Sequence, residues 1–206
     1  MKRNVQFGCG LSCPSDWVNY DASPTLRIQR FPVVGRLLTR GRVRFPKGVK
    51  FGDICGGLPE ENGSVDNLYC SHVLEHLSLD DFRKALRESH RVLKPGGVFR
   101  LVMPDLEVMI DRYTASSSAE ASIDFVRSTL MGMERRPRSL VGRFTSAFGN
   151  DKHLWLWDHQ STILELERAG FHRVRKCQFN DSERVEFKSV EDPDRFLMAV
   201  CLEAWK

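Results

Sequence analysis

Between Ser64 and Asp105 the hydrophobic pattern changes period and then changes back, and this alternation restricts the fold more than any other stretch. "SVDNLYCS" (64–71) reads as a strand, opened by the turn-rich "PEENGS" (59–64). From Ser78 the period is helical. Ser78 is a cap, Asp80 and Asp81 sit in the first turn where negative charge suits the helix dipole, and Phe82, Leu86 and Leu93 recur at helical spacing. Lys94-Pro95-Gly96-Gly97 stops the helix. "VFRLVMPD" (98–105) follows as a nearly continuous apolar run, the pattern of a strand covered on both faces.

The rest of the chain extends this strand, helix, strand unit. Asn4 to Phe7, "WVNYD" (17–21) and "GVKFGDI" (48–54) read as three earlier strands. Helices are predicted over 106–113, 119–131 and "DHQSTILELERAG" (158–170), the last capped by Asp158 and ended by Gly170. "FHRVRKCQF" (171–179) and "RFLMAVCLEAW" (195–205) read as the final strands. At 206 residues, with no long linker, this is one domain over 1–206, with an insertion at 115–152. The class is α/β with a mostly parallel sheet, whose ligands sit at the carboxyl ends of the strands. Gly8, Asp21, Asp53 and Ser71 fall at those ends.

The segments "VQFGCG", "WVNYD", "FGDICGGLP", "SVDNLYCSHVLEHL", "ALRESHRVLKPGGVFRLVMPD" and "LERAGF" together resemble class I S-adenosylmethionine-dependent methyltransferases. The likeness is to small bacterial members of the methyltransferase type 11 group, several of which sit among polysaccharide-assembly genes. It is clearest from Val5 to Asp105, where "SHVLEHL" precedes "RVLKPGG" at a characteristic distance. The resemblance implies a Rossmann-like seven-stranded sheet with a reversed last strand and S-adenosylmethionine as cofactor. It implies that Phe7, Gly8, Cys9 and Gly10 meet the methionine part, glycines there letting the backbone come close. Asp21 would accept from the ribose hydroxyls and Asp53 from the adenine amino group, with Ile54 and Leu58 against the ring and Ser71 and His72 near the sulfonium. One departure is visible: ten residues separate Gly10 from Asp21, so the helix usual between them is lost or reduced to a turn. The cover over the cofactor is then assigned to the 115–152 insertion or to a partner subunit, as in a homodimer.

If the acceptor is a hydroxyl, a base is needed, and His72, His153 and Asp105 are the candidates in that order. His72, Glu75, His76 and His153 could together hold a metal, but no metal is assigned. The reading preferred for Glu75 is an ion pair with a base such as Arg91, and for His76 a hydrogen bond to backbone. The six cysteines fit a reduced, buried role, and Cys9-x₃-Cys13 has no matching second pair for zinc.

Net charge is only +4, but residues 27–50 hold eight basic and no acidic side chains, and "ERRPRSLVGRF" (134–144) adds more. Such runs suit an anionic acceptor, with a glycan hydroxyl preferred and nucleic acid as the weaker alternative. Trp155, Trp157 and Phe148 offer either stacking surface or core. Neither a membrane-length apolar run nor a signal-peptide core is present, so a cytoplasmic location is expected. A catalytically silent binding protein on the same fold is the competing function.

Overall fold

The computed structural model describes residues 2–29, 44–136, 139 and 152–206. Most of the basic run at 27–50, much of 134–144, Phe148 and part of the 115–152 insertion therefore lie outside the described residues. The strands are β1 (Asn4–Phe7), β2 (Val18–Asp21), β3 (Val49–Phe51), β4 (Val65–Ser71), β5 (Leu93–Pro104), β6 (His172–Lys176) and β7 (Ala199–Trp205). The helices are α1 (Pro24–Gln29), α2 (Leu79–Val92), α3 (Leu106–Ala115), α4 (Ala121–Ser128) and α5 (His159–Arg168). They build one seven-stranded sheet in the order β3-β2-β1-β4-β5-β7-β6, parallel except for β7, which runs antiparallel to both β5 and β6. This is the expected Rossmann-like sheet with its reversed last strand. No helix among the described residues is long and apolar enough to cross a membrane.

Local chemistry explains the element ends. The Ser78 hydroxyl accepts from the Asp81 amide to open α2, and the Asp158 carboxylate does the same for Ser161 at α5. Helix α2 stops at Val92 as expected, but the chain from Leu93 at once pairs with Val65, so the Pro95-Gly96 stretch becomes an irregularity inside β5. Strand β3 ends two residues before Asp53: the Gly52 amide turns back to the Asp21 carbonyl, and the Asp53 carboxylate takes the Cys55 amide, curling the chain away. Strand β7 starts at Ala199 rather than Arg195, because Pro193–Phe196 forms a 3₁₀ turn capped by Asp192. No helix occupies residues 8–17. Helix α1, after β2, is one that periodicity did not reveal.

The main core lies between the sheet and helices α2 and α5. Phe7 stacks against Phe99, and Phe82 stacks against Trp157 at 3.9 Å between ring centres. Trp157 is thus core, while Trp155 beside it stays exposed. The opposite face packs Trp17, Tyr69 and Phe187.

That second face also buries a charge. Arg100, in the middle of the apolar β5, is completely inaccessible and is held by Glu191, Glu203, Asp181 and the Gln178 carbonyl. Glu203 is its register partner on β7. Arg100→Ala would leave buried carboxylates without a counter-charge, so urea denaturation should show a loss of about 3–5 kcal/mol, far more than an exposed arginine would cost.

A second ion pair ties α2 to α5. Arg83 reaches Glu165 through two hydrogen bonds and Arg168 adds a third. Chiefly through the Arg83 contact, the Glu165 carboxyl is held down to about 2 from an ordinary 4.5. A carboxyl depressed on folding contributes stability that is fully present above its unfolded value and lost as pH falls towards its folded one. Glu165→Gln should therefore be less stable than the parent at pH 7, with the difference in urea midpoint shrinking between pH 4.5 and 2.

Candidate active site

The carboxyl ends of β1, β2, β3 and β4 converge on one rim, and a short turn organises it. Chain from Phe7 passes through Gly8 and Gly10, both left-handed (φ +62° and +53°), and the Cys9 amide donates to the Tyr20 carbonyl on β2 at 3.0 Å. A Cβ on Gly8 would lie 2.2 Å from a Val73 methyl, so the loop after β4 packs directly on this turn. A Cβ on Gly10 would meet nothing within 4 Å. The turn is closed against protein at one glycine and open at the other.

Asp21 fixes this arrangement. One of its carboxylate oxygens accepts from the Gly10 amide at 2.9 Å, and the other from the Ser23 amide at 2.7 Å. With no helix after the turn, a single buried side chain satisfies amides on both sides of β2. Each oxygen keeps a second lone pair, so the carboxylate can still accept from a ligand.

Asp53 lies next along the rim, two residues past Phe51, the register partner of Asp21. One of its oxygens accepts from Cys55, and neither Asp21 nor Asp53 is in an ion pair among the described residues. Burial first, and then the Asp21 charge, push the Cys9 thiol up to about 12. Burial and then Asp53 push Cys55 to about 11. Both cysteines are held as thiols at neutral pH. Ile54 and Leu58 are buried in the core immediately below. Phe7 faces the core as well, so only its backbone reaches the rim. Ser71 ends β4 opposite Val102.

His72 follows Ser71 in a left-handed conformation (φ +54°), uncommon for a residue with a side chain and usually maintained by its surroundings. Its amide donates to the Val102 carbonyl, its Nε2 contacts the Arg195 carbonyl at 3.0 Å, and its Nδ1 lies 3.5 Å from the Glu75 carboxylate. A carbonyl only accepts, so Nε2 carries a proton in this geometry. His72 also lines a cavity of about 430 Å³ whose other walls come from α3, α4 and the Leu197–Met198 turn. Arg112, Tyr113, Asp124 and Phe125 face into it, and the Tyr113 and Phe125 rings pack 5.4 Å apart.

The other two base candidates are differently placed. Asp105 is buried, caps α3 by accepting from the Glu107 amide, and lies 3.2 Å from His159 Nδ1. His153 is buried beside Glu75, and burial lowers its imidazole below the ordinary value despite the nearby carboxylate. Contrary to the expectation from sequence, Glu75 does not pair with Arg91. Arg91 binds Glu88, Asn62 and the Leu58 and Glu60 carbonyls, because it sits at the far end of α2. His76 does take a backbone partner, the Lys152 carbonyl, at 3.0 Å.

Comparison with known proteins agrees with this architecture. Residues 5–101 match the methyltransferase domain family. A SAM-dependent methyltransferase of Thermotoga maritima aligns over 100% of this chain and 83% of its own, with 18% identity and a TM-score of 0.51. One from Archaeoglobus fulgidus covers 100% and 86%, with 16% identity and a TM-score of 0.50. A 37.1 kDa protein of transposon TN4556 in Streptomyces fradiae is 33% identical over 120 residues, and the match spans only 33% of that protein's length. The glycine turn, the acids ending β2 and near β3, and a 3-2-1-4-5-7-6 sheet with its reversed strand thus occur in a chain whose residues 5–101 match the methyltransferase domain family and whose fold is that of solved SAM-dependent methyltransferases.

Proposed function

We propose that this chain binds S-adenosylmethionine along the Gly8–Asp21–Asp53 rim and transfers its methyl group to a hydroxyl oxygen of a small or glycan-type acceptor in the cavity beside His72. The observation that carries this is adjacency: the loop that packs on the glycine turn through Val73 also presents His72 to the cavity. When bound, the cofactor supplies a methyl group activated on a sulfonium. Everything else is alignment and exclusion of water. The open side of Gly10 admits the methionine part, the free lone pairs of Asp21 take the ribose hydroxyls, and Asp53 takes the adenine amino group above Ile54 and Leu58. Ser71 borders the reacting end.

A hydroxyl acceptor loses its proton as its oxygen attacks, and His72 is the base we assign because it alone of the three candidates lines the cavity. Asp105 is engaged as a cap and His153 is buried behind His72. Acting as a base through Nε2 requires His72 to release the Arg195 carbonyl and to carry its ring proton on Nδ1, the nitrogen beside Glu75, when the acceptor enters. Arg112 on the cavity wall suits an acceptor carrying an anionic group, and exposed Trp155 offers a stacking surface at the 115–152 insertion, to which we assign the covering role.

The missing helix between the turn and Asp21 favours a second reading, a fold kept for binding alone. Calorimetry with S-adenosylhomocysteine decides whether the rim binds at all, and absence of binding at high micromolar ligand defeats the first reading. Asp21→Asn, which replaces an acceptor facing an amide by a donor, should weaken that binding by about 10–100-fold. Gly10→Ala should cost about 1–2 kcal/mol in urea denaturation for its left-handed backbone alone. Gly8→Ala should cost more, because β-branched Val73 cannot readily turn away.

A further inference from the structure

Glu75 is the least satisfied polar group of the described chain. The residue is 1% exposed, and neither carboxylate oxygen has a hydrogen-bond donor among the described residues. A buried carboxylate in that state ordinarily costs several kcal/mol, so something must compensate it.

Its neighbours are imidazoles. His72 Nδ1 lies 3.5 Å and His153 Nε2 3.9 Å from the same Glu75 oxygen. One ligand atom from each of Glu75, His76 and His153 falls within 4.8 Å of the others, and the His76 and His153 rings meet edge to face at 4.9 Å. The distal nitrogens are also arranged. His76 Nδ1 faces the Lys152 carbonyl and His72 Nε2 the Arg195 carbonyl. Each carbonyl fixes a proton on its nitrogen and leaves the other nitrogen with a lone pair, the outer-shell pattern that orients histidine ligands on metals. The backbone is set too: the Leu154 and Trp155 amides both donate to the Glu75 carbonyl, strapping 152–155 onto the loop after β4.

The geometry points to a site for one divalent first-row transition ion, with Glu75, His76 and His153 as ligands and His72 at its border. Two imidazoles, one carboxylate and an open position form a set that zinc accepts, with bonds of about 2.0–2.2 Å. The observed ligand spacings need only a modest contraction to surround such an ion. It would clasp the chain preceding α5 onto the loop that carries His72, and would offset the Glu75 charge. This goes beyond the methyl-transfer reading and does not depend on it.

The test uses the full chain after chelator treatment, titrated with Co²⁺ as a spectroscopic probe and then with Zn²⁺. One ion per chain is expected, with visible absorption typical of nitrogen and oxygen ligation and without thiolate charge-transfer bands, and Zn²⁺ should displace it. Glu75→Gln and His153→Ala should each weaken binding by more than about 100-fold, beyond the loss typical of an outer-shell partner. His76→Gln, at a half-buried position, serves if either buried variant fails to fold. Thiolate bands, which would mark cysteine ligation, no saturable binding below millimolar metal, or equal binding by the variants would each overturn the site. S-adenosylhomocysteine affinity measured on the same samples separates failure of this site from failure of the cofactor rim.

Discussion

The rim depends on one carboxylate receiving two amides. Parallel strands end with their loops free to diverge, and here the loop after β1 is too short to be fastened by a helix. Asp21 supplies the fastening from β2, with the Gly10 amide on one side and the Ser23 amide on the other. The Asp21 carbonyl then receives the Gly52 amide, so the chain entering Asp53 is fixed by the same residue. A charged acceptor holds amides more strongly than a neutral one. Losing it would loosen the turn, the β2 exit and the approach to β3 together.

Two further charges sit inside the fold, with opposite degrees of compensation. Arg100 is enclosed by carboxylates and a carbonyl, and it links the β5–β7 pair to the 178–191 loop. Glu75 is as deeply buried but, among the described residues, receives no donor, only imidazole nitrogens at ion-pair distance. A satisfied buried charge reads as architecture, whereas an unsatisfied one next to a strained His72 and a cavity reads as a place prepared for something else.

Within the site, the division of labour follows the sheet. The strand ends on the β1–β3 side carry the acids and glycines suited to a nucleoside, while β5 and the elements after it build the cavity. Val73 and His72, consecutive residues after β4, touch one side each. On the proposed reading, cofactor and acceptor positions are thereby coupled through this loop.

Much was legible in the sequence because it rests on local chemistry. The period change through 64–105, the Ser78 and Asp158 caps, the glycines at Gly8 and Gly10 and the acids at Asp21 and Asp53 are decided within a few residues, and they specify the α/β class, the rim and the turn. The absence of a helix between Gly10 and Asp21 follows from ten residues of chain. Tertiary structure decided what depends on distant partners. Arg100 stood in plain view within an apolar strand, but only the antiparallel return of β7 brought Glu203 opposite it. Glu75 was one helical turn from His72 in sequence, with Arg91 preferred as its partner and His153 grouped with it as an alternative, but only the fold placed His153 beside it and Arg91 at the other end of α2. Caps, turns and periodicity are set by neighbours along the chain; burial and the pairing of charges are set by neighbours in space, and those exist only once the sheet has closed over them.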